Sequence, residues 1–318
     1  MITRRSLLTA LAASLPGCAG AQRVVPEGFQ QVSISRPEGT RHALVQPAPR
    51  VAPLIMLLHG GMGSMTTVVG PRYGGTASWP SLARREGAIL LVPNGTDPRT
   101  GAGTGERQGW NDVRDRGDRS TRVDDVGFLV ALLDWSQRNL GHDPRRVFVT
   151  GVSNGAMMTM RLIMEAPGGV TAGACFVGSL AEGQPPLRLP RPTPLLILNG
   201  TEDPLIHWQG GAVAGNRGAT MAVPAMRAWW VQANRAQASG AESVLGQSGA
   251  CRVLATDHAA GPGGAALRFV TLEGGGHVVP SVSRPPPQGP LVRRLIGPAC
   301  PVGEGTEMAW EFFRQTVA

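Results

Sequence analysis

The chain has 318 residues, a formal net charge of +8, 42% hydrophobic residues, 44 Gly and 27 Pro. That length and apolar content can fill one large core, and Gly and Pro fall without period between apolar runs, which excludes a fibrous or disordered chain and favours many turns. All 30 basic residues are Arg, scattered with no basic run, so the charge does not argue for a nucleic-acid surface and no nucleic-acid partner is expected.

Residues 1–21 read as an export signal. Arg4-Arg5 precede an apolar stretch over residues 7–15, too short to span a bilayer. The run Thr3-Arg4-Arg5-Ser6-Leu7-Leu8 is twin-arginine-like. Two processing sites compete. Leu15-Pro16-Gly17-Cys18 is a lipoprotein box with Cys18 as the lipidated residue, and Ala19-Gly20-Ala21 offers cleavage before Gln22. Either one predicts a mature protein outside the cytoplasm, with residues 22–318 as one catalytic domain and a lipid at Cys18 as its only membrane tether. Oligomeric state is not written in the sequence. Beyond the signal, Cys175 lies in an apolar run and is expected to be buried, while Cys251 and Cys300 sit in loop-like sequence and can pair. With no C-x-x-C and no clustered His, neither a metal nor a cofactor is expected.

Short apolar runs then alternate with helix-period segments, the pattern of a mostly parallel sheet of about eight strands with helices on both faces. Residues 31–35 and 42–46 form a starting hairpin around the turn Arg36-Pro37-Glu38-Gly39-Thr40. A buried strand follows at 54–58, then a helix at 79–86 and a strand at 88–92. Asp124 or Asp125 caps a helix ending near Leu140-Gly141. Further strands are predicted at 146–150, 172–177, 194–198 and 267–272, and helices at 154–165, 219–234 and 306–315. The loop-rich stretches 93–121, 199–218 and 274–303 follow strands, where α/β sheets bind ligands.

The motif Gly151-Val152-Ser153-Asn154-Gly155 stands between the β-branched run Val147-Phe148-Val149-Thr150 and the helix formers Ala156-Met157-Met158. This is a G-x-S-x-G nucleophile elbow, with Ser153 as nucleophile. The plainer alternative is a helix N-cap serine. A serine hydroxyl needs a base, and His277, in Gly274-Gly275-Gly276-His277 beyond the last strand, is placed to serve; His207 is the rival, and it also stands with Trp110 among the candidate substrate-binding residues. The orienting acid is Asp203, after strand 194–198, with Glu202 beside it and Asp257 as weaker alternatives. For the oxyanion the donors are the amide of Asn154 and one from Gly61 or Met62, in the small-residue turn His59-Gly60-Gly61-Met62-Gly63.

Together these motifs resemble the polyhydroxybutyrate depolymerase, feruloyl esterase and acetylxylan esterase family of α/β-hydrolases. The likeness rests on Leu58-His59-Gly60-Gly61, Gly109-Trp110-Asn111, Val123-Asp124-Asp125-Val126-Gly127-Phe128, the Ser153 motif, Asn199-Gly200-Thr201-Glu202-Asp203 and Gly275-Gly276-His277. It implies an α/β-hydrolase fold, a serine ester hydrolase with the triad Ser153, Asp203 and His277, a cleft shaped in part by Trp110, and a structural Asp124-Asp125 pair. Feruloyl or acetyl esters on polysaccharide, or hydroxyalkanoate esters, are the implied substrates; a peptidase of the same fold and a non-catalytic surface lipoprotein are the alternatives. Many relatives carry cysteines soon after the Gly-Trp run, where this chain has Val113-Arg114-Asp115-Arg116.

Overall fold

The computed structural model describes residues 25–49, 51–71, 73–114, 123–183, 187–238, 240–286 and 289–317. The predicted export segment, with Cys18 and both processing sites, lies outside the described residues. The apolar runs become strands β1 (Gln30–Arg36), β2 (Gly39–Gln46), β3 (Leu54–Leu58), β4 (Ile89–Pro93), β5 (Val147–Val152), β6 (Ala172–Phe176) and β7 (Leu195–Gly200). After a small ribbon of β8 (Gly211–Ala212) and β9 (Ala219–Thr220) come β10 (Ala241–Ser248), β11 (Cys251–His258) and β12 (Leu267–Glu273).

All but the ribbon join one sheet in the order β1-β2-β4-β3-β5-β6-β7-β12-β11-β10. The central strands from β4 to β12 run parallel. Antiparallel strands flank them on both sides. Because successive side chains point to opposite faces, Leu54, Met56 and Leu58 enter one core layer and Ile55 and Leu57 the other. Strands buried on both sides therefore read as unbroken apolar runs.

Helices α1 (Trp79–Arg85) and α6 (Gly305–Thr316) share one layer, where Phe148 stacks on Phe313 at 4.6 Å. The other layer is filled by α2 (Asp125–Leu140), α3 (Asn154–Glu165) and α4 (Val223–Ala233). Asp124 caps α2 by accepting from Gly127 N–H at 2.9 Å, and Gly141 ends it with φ 65°. A last short helix, α5 (Pro290–Ile296), lies on the segment after β12.

The sheet has ten strands where the sequence predicts about eight. The two unforeseen strands are β10 and β11; β10 is exposed along most of its length and carries a bulge between Val244 and Gly246, so it shows no buried alternation. The helix predicted over 219–234 starts only at Val223, because Ala219–Thr220 pair with β8 and Pro224 stands in the first turn. Cys251 and Cys300 form a disulfide, and Cys175 is buried. Among the described residues no helix is long and apolar enough to cross a membrane, and no group of three or more His, Cys, Asp or Glu is placed to hold a metal ion.

Candidate active site

β5 ends at Val152 and α3 begins at Asn154, which leaves Ser153 as the single turning residue, at φ 57° and ψ −119°. Such a backbone is strained for a residue with a side chain and persists only where its surroundings enforce it. Here the close approach of the chain does so. A Cβ on Gly151 would stand 2.3 Å from the Gly155 carbonyl oxygen, and one on Gly155 would stand 2.4 Å from that of Leu58. Ser153 N–H donates to the Phe176 carbonyl at 2.8 Å, pinning the turn to β6. Ser153 occupies the N-cap position of α3, yet its side chain makes no capping hydrogen bond. The hydroxyl is thus kept for other use.

Asp203 and His277 follow β7 and β12, neighbouring parallel strands on the same side of β5, so all three side chains gather at the carboxyl edge of the sheet. His277 Nδ1 lies 2.7 Å from Asp203 Oδ2. The other carboxylate oxygen accepts from the N–H groups of Leu205 at 2.8 Å and Ile206 at 2.9 Å. Asp203 is buried, and with both oxygens engaged it fixes the ring so that Nδ1 donates and Nε2 stays outside that pair. The loop bearing His277 is itself held: Gly276 N–H donates to the Pro298 carbonyl at 2.8 Å and His277 N–H to that of Ile296 at 2.6 Å. Among the described residues Ser153 Oγ has no hydrogen bond; contacts of this kind are commonly long without substrate and close around it.

Opposite Ser153 lies the turn after β3. His59 Nε2 accepts from Gly95 N–H at 2.9 Å, so the ring proton is on Nδ1, which donates to the Gly60 carbonyl at 2.8 Å. Burial lowers the His59 pKa to about 4, so the ring is neutral at neutral pH. Gly63 N–H donates to the same Gly60 carbonyl at 3.1 Å. In a trans peptide the N–H of Gly61 points opposite to that clamped carbonyl. Gly61 faces Asn154, since a Cβ on it would stand 3.5 Å from Asn154 Cβ. Met62 is excluded as a donor, because its N–H is already bonded to the Gln108 carbonyl at 2.8 Å. The amides of Gly61 and Asn154 remain without a partner among the described residues, which leaves two adjacent donors free to receive a ligand oxygen.

No family model matches the chain. It is 25% identical over 159 residues to a bifunctional acetylxylan esterase/xylanase of Neocallimastix patriciarum, covering 50% of this chain and 20% of that protein. It is 29% identical over 170 residues to NocK of Nocardia uniformis subsp. tsuyamanensis, a protein named as an esterase, covering 52% of this chain and 44% of that one. The chain thus spans less than half the length of these curated relatives. Among solved structures, acetyl xylan esterase from Aspergillus awamori superposes with a TM-score of 0.52 at 15% identity, over 84% of this chain and 98% of that one.

The fold is that of an α/β-hydrolase. On this fold the remaining predicted residues fall in unexpected places. Trp110 is not a cleft wall: it is 1% exposed, its ring packs 4.9 Å from His59, and its indole N–H donates to the His59 carbonyl at 2.9 Å. Its backbone instead clasps Asn154, with Trp110 N–H to Asn154 Oδ1 at 2.7 Å and Asn154 Nδ2 to the Trp110 carbonyl at 3.1 Å. Asn154 Nδ2 also donates to Asp112 Oδ2 at 2.7 Å, and Arg114 locks that carboxylate from the other side at 2.6 Å. Asp112 and Arg114 were not legible as site residues, since two charges two apart in a loop form no pattern. His207 is exposed and does not line the cleft, and Glu202 is also exposed. Asp257 is paired with Arg268 on the hairpin strands. Asp125, buried, binds Arg41 at 2.6 Å and Asn111 N–H at 2.7 Å, which anchors the Trp110 loop and bears out a structural role.

The cleft above Ser153 has a volume of about 410 Å³. Its floor includes Gly61, Met62, Ser153 and Asn154; Leu205, Ile206 and Val213 give it an apolar side. Ile206 and Val213 pack on Met157, one turn beyond the nucleophile, so the segment that binds the Asp203 carboxylate also forms the cleft wall. Loops 93–121 and 199–218 supply walls as predicted. Among the described residues, loop 274–303 supplies His277 but none of the lining.

Proposed function

We propose that this α/β-hydrolase is an exported serine carboxylic-ester hydrolase working through an acyl-enzyme. The observation that carries the reading is the strained Ser153 beside two unpartnered amides, with a carboxylate-fixed histidine at the same sheet edge. Ser153 Oγ attacks the ester carbonyl while His277 Nε2 takes its proton; the carbonyl oxygen becomes an anion held by the N–H groups of Gly61 and Asn154. Collapse breaks the bond to the alcohol, which leaves with the proton from His277. Water then attacks the acyl-serine by the same route and releases the acid. Asp203 stabilises the imidazolium without itself being protonated.

The substrates considered are feruloyl or acetyl esters on polysaccharide and hydroxyalkanoate esters; the esterase names of the matched relatives support the ester class. Export rests on the sequence of residues 1–21 alone, and labelling with a fatty acid in culture, with Cys18→Ala as control, tests lipid attachment. Activity is tested with the purified mature chain on a 4-nitrophenyl acyl ester series. Ser153→Ala is expected to lower kcat by at least about a thousandfold at unchanged stability. Turnover that survives the substitution removes Ser153 from the reaction.

A further inference from the structure

Arginine is concentrated at the cleft. It supplies 30 of the 318 residues of the chain, and among the described residues four of the seventeen that line the cleft, Arg99, Arg107, Arg114 and Arg217. Among the described residues one acidic side chain, Asp97, shares that lining, and it is turned to its own backbone: it accepts from the N–H groups of Arg99 at 2.8 Å and Thr100 at 2.9 Å, which hold its carboxyl below the usual range. Arg114 is spent on Asp112, and Arg217 Nε donates to the Ala214 carbonyl. Arg99 and Arg107 are different. Both are exposed, and neither forms a salt bridge among the described residues, although the Arg99 charge also acts on Asp97.

Both stand on fixed backbone. Arg99 sits in the turn that Asp97 closes. Arg107 lies between Glu106, whose carboxylate is taken by the hydroxyls of Ser64 and Thr66, and Gln108, whose N–H donates to the Gly63 carbonyl at 2.8 Å. Its Cα is thereby tied to the same turn that presents the Gly61 amide. Across the cleft the Leu205, Ile206 and Val213 side is apolar. A ligand that satisfies both walls has an apolar body and an anion.

We propose that the ester taken by this cleft carries a free carboxylate, received by Arg99 and Arg107 while its carbonyl lies over Ser153. This rests on the hydrolase reading above and narrows it. Arginine suits the task because its planar fork meets carboxylate oxygens in pairs. The carboxylate can belong to the acyl part, as in a half-ester of a dicarboxylic acid, or to the alcohol part, as at the acid end of a hydroxyalkanoate oligomer. A neutral acetyl or feruloyl ester brings no charge to pair with these two side chains.

Two matched pairs of probes separate the cases. On the acyl side, 4-nitrophenyl hydrogen glutarate is compared with 4-nitrophenyl butyrate; on the alcohol side, 4-acetoxybenzoate with its methyl ester. In at least one pair the wild type is expected to favour the anionic probe in kcat/KM by about tenfold at low salt, a preference that fades near 0.5 M NaCl as screening shortens the field to about 4 Å. The pair that responds identifies the side bearing the acid. Arg99→Gln with Arg107→Gln is expected to bring that ratio to within about twofold of unity, each ratio being measured on one enzyme preparation and so independent of its yield. Equal turnover within both pairs by the wild type, or a preference that persists in the double variant, overturns the carboxylate proposal and leaves the hydrolase reading standing. No turnover of any of the four probes removes both.

Discussion

Asn154 serves the site twice, by its backbone and by its side chain. The amide is one of the two donors proposed for the oxyanion, while the side chain is held by both backbone groups of Trp110 and by Asp112. Asn154→Ala keeps the amide and removes the three bonds that aim it. The expected result is a kcat lower by about ten- to a hundredfold with little change in KM, since the lost interaction is realised in the transition state. Stability should fall by roughly 1–3 kcal/mol, because the buried Trp110 N–H and Asp112 are each left short of a partner. Kinetics and denaturant unfolding check both parts; a variant with wild-type kcat would show that the amide needs no such support. Ser153, Asp203 and His277 were legible because each sits at a strand end in a motif whose residue types the chemistry requires. Trp110 misled because an aromatic in a Gly-rich loop looks the same in sequence whether it faces a ligand or threads beneath one. The choice between Gly61 and Met62 was likewise invisible, since it turns on which amide Gln108 claims.

At the scale of elements, the His277 loop depends on a hairpin that the sequence barely reveals. The central strands were legible because burial on both faces makes continuous apolar runs. β10 was not, for its sequence Ala-Glu-Ser-Val-Leu-Gly-Gln-Ser is exposed on both faces and owes its strand state to pairing with β11. β11 in turn starts at Cys251, whose disulfide to Cys300 holds the segment that bonds Gly276 and His277 through Pro298 and Ile296. Gly275 lies directly against that bridge, since a Cβ on it would stand 3.4 Å from Cys300 Cβ. The bond closes a loop with a sequence separation of 49 residues. Cys251→Ser with Cys300→Ser is therefore expected to cost roughly 2–4 kcal/mol, mostly through the unfolded chain. It should also lower kcat by freeing the base, and reductant should reproduce both effects in the wild type but not in the variant. Equal denaturation midpoints with and without reductant would show the bridge to be idle.

For the molecule as a whole, the buried His59 predicts how stability responds to acid. Its folded pKa is about 4 against an ordinary histidine value of 6.5, with burial as the main cause. A histidine with a lowered folded pKa leaves the unfolded chain binding more protons between the two values, so stability is full above about pH 6.5 and is lost as pH falls toward 4. His142, also lowered by burial, acts in the same direction, whereas Asp125, raised chiefly by burial, opposes it. Asp143 enters only further down: the Arg145 N–H is the first cause that lowers it to about 2, so its contribution is lost below its ordinary range. Between pH 7 and 4.5 the His59 part should remove about 2 kcal/mol of unfolding free energy. Urea titrations at the two pH values measure it, and in His59→Gln the drop should shrink by about that amount even if the variant starts lower. Because protonated His59 can no longer accept from Gly95 N–H, acid should disturb the Gly60–Gly61 turn before the sheet yields. Protection against amide exchange at Gly95 and Gly63, taken relative to the intrinsic rate at each pH, should then fall at pH 4.5 while β3 and β5 stay protected; uniform loss of protection across all four would show that the turn and the sheet open together.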